Sequence, residues 1–216
     1  MSLIEYLRPR VPCTVLNTAW RMLDKESRTI LDVGCGKGIP MKYLNRKHQF
    51  ETTGIDGFSP YLVEAWENHT HDVYVNWDIR DLGELYGKVP HFFDTVICLE
   101  VIEHLTKSEG IQLLIDLELA AKWQVIISTP LGHYEQHDLD GNSYQEHQSE
   151  WTPREFQELG YIVRGIGIKG MGGENGLGSR HRLLADCLYA CATPFTYYRP
   201  ERAGAMVAVK ELVRNG

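Results

Sequence analysis

The 216 residues are 43% apolar and 24% charged, the balance of a chain that buries one α/β core of ordinary size. No apolar run reaches the ~20 residues of a membrane span, and MSLIEYLRPRVPC has no basic stretch leading into an apolar run and a small-residue cleavage site, so a soluble, cytoplasmic protein is expected. A net charge of −7 with a pI of about 5.7 opposes a phosphate-binding basic face, and five cysteines (Cys13, Cys35, Cys98, Cys187, Cys191) without a C-x-x-C pair argue against a disulfide framework or a thiolate zinc site.

Residues 1–28 predict one or two helices closing over the cofactor side, best formed from Val15 to Leu23. Thr29 to Val33 predicts the first strand, Ile39 to Lys47 a helix and Thr52 to Ile55 the second strand. Pro60 to Asn68 then predicts a helix, Val73 to Asn76 a strand, Phe93 to Leu99 a strand, Lys107 to Lys122 a helix and Val125 to Ser128 a strand. This alternation implies a mostly parallel sheet covered on both faces, with ligands beyond the carboxyl ends of its strands.

The second half is less regular. Leu131 to Glu150 is a polar connection holding His133, His137 and His147, and a loop of that length inside a compact domain suggests function. A helix begins at Thr152, where Pro153 suits the first helical position, Glu155 completes a capping box and Gly160 ends it. Tyr161 to Ile166 and Ala205 to Lys210 read as strands. Between them lie a Gly-rich stretch from Gly165 to Gly178, suited to a mobile lid, and a candidate helix from Ser179 to Cys191 whose apolar face (Leu183, Leu184, Cys187, Leu188) suits packing.

The chemistry concentrates after the strands. ILDVGCGKG puts Asp32 near the end of the first strand and Gly34, Gly36 and Gly38 in the turn that follows. A dinucleotide fingerprint is G-x-G-x-x-G; this turn is G-x-G-x-G preceded by an acid, which suits a cationic amino-acid tail and hence S-adenosylmethionine. Asp56 ends the second strand, placed to accept from both ribose hydroxyls. Asp78 follows the third, placed to accept from the adenine amino group, with the backbone N–H of Ile79 offered to the ring. Glu100 follows the fourth.

Together, the segments from about Thr29 to Pro130 resemble the class I S-adenosylmethionine-dependent methyltransferases. The resemblance implies a Rossmann-like fold with a mostly parallel seven-stranded sheet in a single domain: a helical cap at 1–28, a cofactor-binding half at 29–130 and an acceptor-side half at 131–216. It also implies that Asp32, Gly34 and Gly36 surround the methionine part, and that Leu99 and Glu100 border the methyl group.

Glu100, Glu103 and His104 form a further motif, E-V-I-E-H, whose oxygen and nitrogen donors suit Mg²⁺ or Mn²⁺. It resembles the metal-binding segment of ubiquinone-pathway O-methyltransferases and of small-RNA 2′-O-methyltransferases, and the latter resemblance adds His147, just before Glu150, Trp151 and Thr152, as a fourth ligand. Three readings stay open: a metal on Glu100, Glu103, His104 and His147; His104 or His147 as a metal-free general base; and a structural turn. His133 and His137 read as solvated or substrate-contacting, and Cys35 as packing under the turn. The expected activity is O-methylation of a small sugar-like acceptor, the glycan suggestion resting on the resemblance of Asp140 to Thr152 to methyltransferases associated with surface-glycan assembly. The alternatives are an RNA 2′-O-methyltransferase, which the acidity disfavours, and a non-catalytic cofactor-binding regulatory partner.

Overall fold

The computed structural model describes residues 14–87, 90–132, 141–169 and 191–213. Seven strands, β1 (Thr29–Val33), β2 (Glu51–Asp56), β3 (Val73–Asn76), β4 (Phe93–Leu99), β5 (Ala121–Pro130), β6 (Ile162–Ile166) and β7 (Ala205–Glu211), form one sheet in the order β3-β2-β1-β4-β5-β7-β6. β1 runs parallel to β2 and β4, β2 parallel to β3, and β6 antiparallel to β7. This is the Rossmann-like methyltransferase architecture expected from the sequence, and the order reverses on either side of β1, where the switch point opens.

The described helices are α1 (Val15–Met22), α2 (Ile39–Asn45), α3 (Ser59–Glu67), α4 (Leu82–Tyr86), α5 (Lys107–Ala120) and α6 (Pro153–Glu158), with a further helical stretch over 191–196. None is long and apolar enough to cross a membrane. Most boundaries shift by one or two residues from the sequence reading, and two differences are larger. α5 passes into β5 at Ala121 with no intervening turn, so β5 runs ten residues rather than the four from Val125 to Ser128. The short helix α4 lacks an apolar period long enough to announce it.

The chain forms two compact units. The larger comprises Leu23–Ile127, Glu135–Ser149 and Lys210–Gly216; the other comprises Met1–Met22, Ser128–Tyr134 and Glu150–Val209. In the larger unit every residue of β4 is buried, and Ile30, Leu31 and Val33 of β1 are fully enclosed, each such aliphatic side chain contributing roughly 1.5–3 kcal/mol against exposure. Thr106 and Glu109 close a capping box that starts α5, whose Leu113, Leu114 and Leu117 face the core. In the other unit the expected capping box is present, Thr152 accepting from the Glu155 N–H and Glu155 from the Thr152 N–H, and Phe156 is fully buried. The calls on His133, His137, the helix from Ser179 and most of the Gly-rich stretch lie outside the described residues.

Candidate active site

The larger unit holds a small cavity, about 80 Å³, at the carboxyl ends of its strands. Its floor is the turn after β1. The N–H groups of Gly34 and Cys35 both donate to the Ile55 carbonyl, at 2.8 and 2.9 Å, pinning that turn to the end of β2. Gly34 sits at φ 71°, and a Cβ there would come within 2.5 Å of Val101; both the left-handed backbone and the close approach demand glycine.

Asp56 faces the cavity with its carboxylate held on both sides. Oδ2 accepts from the Gly36 N–H and Oδ1 from the Phe58 N–H, each at 2.8 Å. Burial pushes its pKa up, against those two N–H donors that pull it down. Each oxygen keeps a lone pair for a further donor, as two adjacent ribose hydroxyls would require.

Asp78 and Ile79 also line the cavity, but the Asp78 carboxylate is heavily engaged. Oδ1 accepts from the backbone N–H of Arg80 at 3.0 Å and from its Nε at 2.9 Å, while Oδ2 takes the guanidinium Nη2. Arg80, and with it the Tyr144 hydroxyl, holds the Asp78 carboxyl below its usual range. Ile79 opens the 3₁₀ turn Ile79–Asp81, at a position whose N–H has no partner within the turn.

Three residues assigned to the cofactor do not line this cavity. Asp32 is 1% exposed and turns to His71, whose Nε2 lies 3.1 Å from its Oδ2 in a pairing buried on both sides. Nδ1 of His71 in turn meets the Thr70 hydroxyl at 2.9 Å. Asp32 is thus paired with His71 and does not line the cavity. Gly38, at φ 73°, is packed under Thr70, whose Oγ1 would lie 2.0 Å from an added Cβ. Leu99 is a core residue of β4.

At the end of β4 the chain turns abruptly. Glu100 is exposed, borders the cavity and adopts φ 55°, a left-handed conformation that is uncommon for a side chain of its kind. The 3₁₀ turn Ile102–His104 follows, with Glu103 and His104 buried. Onto this turn is laced a segment from more than forty residues downstream. The N–H groups of Gln148 and Ser149 donate to the Glu103 carbonyl at 2.9 and 3.1 Å, and the Gln148 side-chain amide donates to the His104 carbonyl at 2.9 Å.

The lacing brings His147 beside His104, ring centroids 4.9 Å apart, and the ligand atoms of Glu103, His104 and His147 all lie within 4.8 Å of one another. Nδ1 of His104 faces the Glu146 carbonyl at 3.3 Å, and backbone groups of Gln145 and Glu100 also bond to the ring. Burial and the neighbouring His147 push its pKa down to about 4. Among the described residues, three of the four expected ligands thus converge, while Glu100 stays at the cavity rim outside the cluster.

Sequence reasoning missed Asn142, Tyr144 and Gln145, which also line the cavity. Asn142 caps the 3₁₀ turn Ser143–Gln145 by accepting from the Tyr144 N–H at 3.0 Å. The available signal was local: an asparagine after glycine that can start a capped turn, followed by an aromatic in a polar loop.

A family described as a methyltransferase domain matches residues 4–160. Ubiquinone biosynthesis O-methyltransferases from Coxiella burnetii and Xanthomonas euvesicatoria are each 33% identical to the chain, over 82 and 85 residues. Those stretches cover 37% and 38% of this chain but only 34% and 35% of the relatives, so the likeness spans about a third of the curated relatives' length. Among solved structures, a SAM-dependent methyltransferase from Archaeoglobus fulgidus superposes with a TM-score of 0.58 at 15% identity, covering 98% of this chain and all of its own. The methyltransferase domain of bacterial CtHen1 gives a TM-score of 0.58 at 21% identity, covering 91% of this chain and 96% of its own. The chain belongs to the methyltransferase-domain family, and its fold is that of S-adenosylmethionine-dependent methyltransferases.

Proposed function

We propose that this enzyme methylates a hydroxyl of a small, sugar-like acceptor, in a site where Asp56 and Ile79 bind the nucleoside of S-adenosylmethionine and Glu103, His104 and His147 handle the hydroxyl. The observation that carries the reading is the three-residue cluster beside the cofactor cavity: Glu103, His104 and His147 gather their ligand atoms within 4.8 Å, and His104 also lines the cavity. An alcohol is a poor nucleophile at neutral pH, so methyl transfer to oxygen calls for groups that orient the hydroxyl and accept its proton. In the transfer the acceptor oxygen bonds to the methyl carbon, the carbon–sulfur bond breaks with its electron pair going to sulfur, and the hydroxyl proton leaves to the cluster.

One carboxylate and two imidazoles fit a divalent cation such as Mg²⁺ or Mn²⁺. Glu103, His104 and His147 would hold it, and the bound ion would lower the pKa of the acceptor hydroxyl. The neutral His104 ring suits a ligand better than a general base, since a base with a pKa near 4 is weak at neutral pH. The sugar-like acceptor rests on the likeness of Asp140 to Thr152 to methyltransferases associated with surface-glycan assembly.

RNA 2′-O-methylation is the second reading, supported by the same donor set and opposed by the net charge of −7. Conversion of S-adenosylmethionine to S-adenosylhomocysteine, followed over a panel of glycosides and short RNAs with and without EDTA, tests both. Turnover on a glycoside that stops with EDTA and returns with Mn²⁺ is expected. Turnover on RNA alone, with salt-dependent binding, replaces the acceptor assignment, and EDTA-insensitive turnover that requires His147 replaces the metal with a histidine base.

A further inference from the structure

The wall of the cavity opposite the glycine turn carries a residue that no motif assigns. Gly57, directly after Asp56, offers no side chain at the cavity rim, and the space one would take belongs to Tyr144: a Cβ on Gly57 would meet ring atoms Cε2 and Cζ at 3.4 Å. Arg80 lies beside the same ring, its guanidinium carbon 5.6 Å from the centroid, and is itself forked onto Asp78, to which the Tyr144 hydroxyl also bonds. Gly57, Asp78, Ile79 and Tyr144 line one cavity. Tyr144 is 42% exposed, so it fills no core; a large aromatic left partly open at the mouth of a ligand cavity is placed for a ligand.

The engagement of Asp78 sharpens the point. Its oxygens accept four hydrogen bonds from Arg80 alone, which leaves little capacity for the exocyclic amine of a base. Recognition of a purine there needs a further contact, and a flat aromatic face supplies one, worth on the order of tenfold or more in affinity for a stacked base.

We propose that Tyr144 is the aromatic cover of the cofactor's nucleobase, placed beside Arg80 and seated over the bare backbone of Gly57. This inference rests on the assignment of the cavity to the cofactor. It gives the segment from Asn142 to Ser149 two duties: Tyr144 closes on the base, and three residues later His147 joins Glu103 and His104.

Calorimetric titration of the full chain with S-adenosylhomocysteine, and separately with adenosine, tests it. Tyr144→Ala should weaken both ligands by the same factor, about tenfold or more, because the lost contact is to the moiety they share; Tyr144→Phe should restore most of the affinity, since the ring and not the hydroxyl covers the base. The melting temperature should be unmoved in both variants. Affinity unchanged in Tyr144→Ala while Asp56→Ala abolishes binding overturns the role of Tyr144 and leaves the cavity assignment standing. A loss for S-adenosylhomocysteine but none for adenosine also overturns it, placing the residue at the amino-acid end. If neither Asp56→Ala nor Tyr144→Ala affects either ligand, the cavity assignment fails together with the inference.

Discussion

The turns after β1, β2 and β3 and the segment from Asn142 to Ser149 reach the same cavity by different routes. Each turn delivers its residues within three positions of a strand's end, and neighbouring turns brace one another, as Gly36 does Asp56 at 2.8 Å. The downstream segment depends on a borrowed anchor instead: the carbonyls of Glu103 and His104 receive Gln148 and Ser149 from across some forty-five residues of chain. Binding groups are thus placed by the sheet itself, while the groups proposed for the acceptor are placed by a strap on a 3₁₀ turn. The two should respond to substitution differently.

The largest effect is expected at the strap. Glu103→Gln and His147→Ala should each lower turnover by about 100-fold or more, yet leave the affinity for S-adenosylhomocysteine within about twofold, because neither touches the nucleoside. Rates and calorimetry on the same preparations check this, and a parallel loss of affinity would erase the proposed division of labour. Asp56→Ala should give the opposite profile. Removing charge-assisted hydrogen bonds to two hydroxyls costs on the order of 2–4 kcal/mol, about 30- to 1000-fold in affinity. Since Asp56 also braces Gly36 and Phe58, Asp56→Asn separates the roles: it keeps a carbonyl acceptor for one N–H while losing the charge.

A smaller effect distinguishes the two regions by acidity. His104 is buried and its pKa lies near 4, whereas in the unfolded chain it takes up a proton near ~6.5. Between those values the unfolded state binds more protons, so stability should rise with pH from about 4 to about 6.5 and be insensitive to this group above. Urea midpoints measured against pH should show that slope, flattened in His104→Gln. An identical slope in the variant would assign it to other groups.

The same contrast explains what the sequence revealed. β1 to β4, the glycine turn and Asp56 were legible because strand, turn and acid succeed one another within a few residues, where periodicity and turn chemistry act. The partner of Asp32, His71, was not legible, because it lies 39 residues on, where no local pattern reaches. Tyr144 went unseen because its importance comes from what Gly57 lacks. The E-V-I-E-H motif announced Glu103 and His104, but the departure of Glu100 from the cluster follows from its backbone, which sequence spacing does not encode.

That backbone carries a consequence of its own. Glu100 holds φ 55° at the cavity rim, a conformation costing a residue with a Cβ about 1–2 kcal/mol relative to glycine. Glu100→Gly should therefore raise the melting temperature by about 2–4 °C, less whatever freedom the glycine adds to the unfolded chain. If the carboxylate borders the reacting methyl group, the same variant should turn over more slowly. Calorimetric melting and steady-state rates would then move in opposite directions, a stability–activity trade-off located at a single dihedral angle.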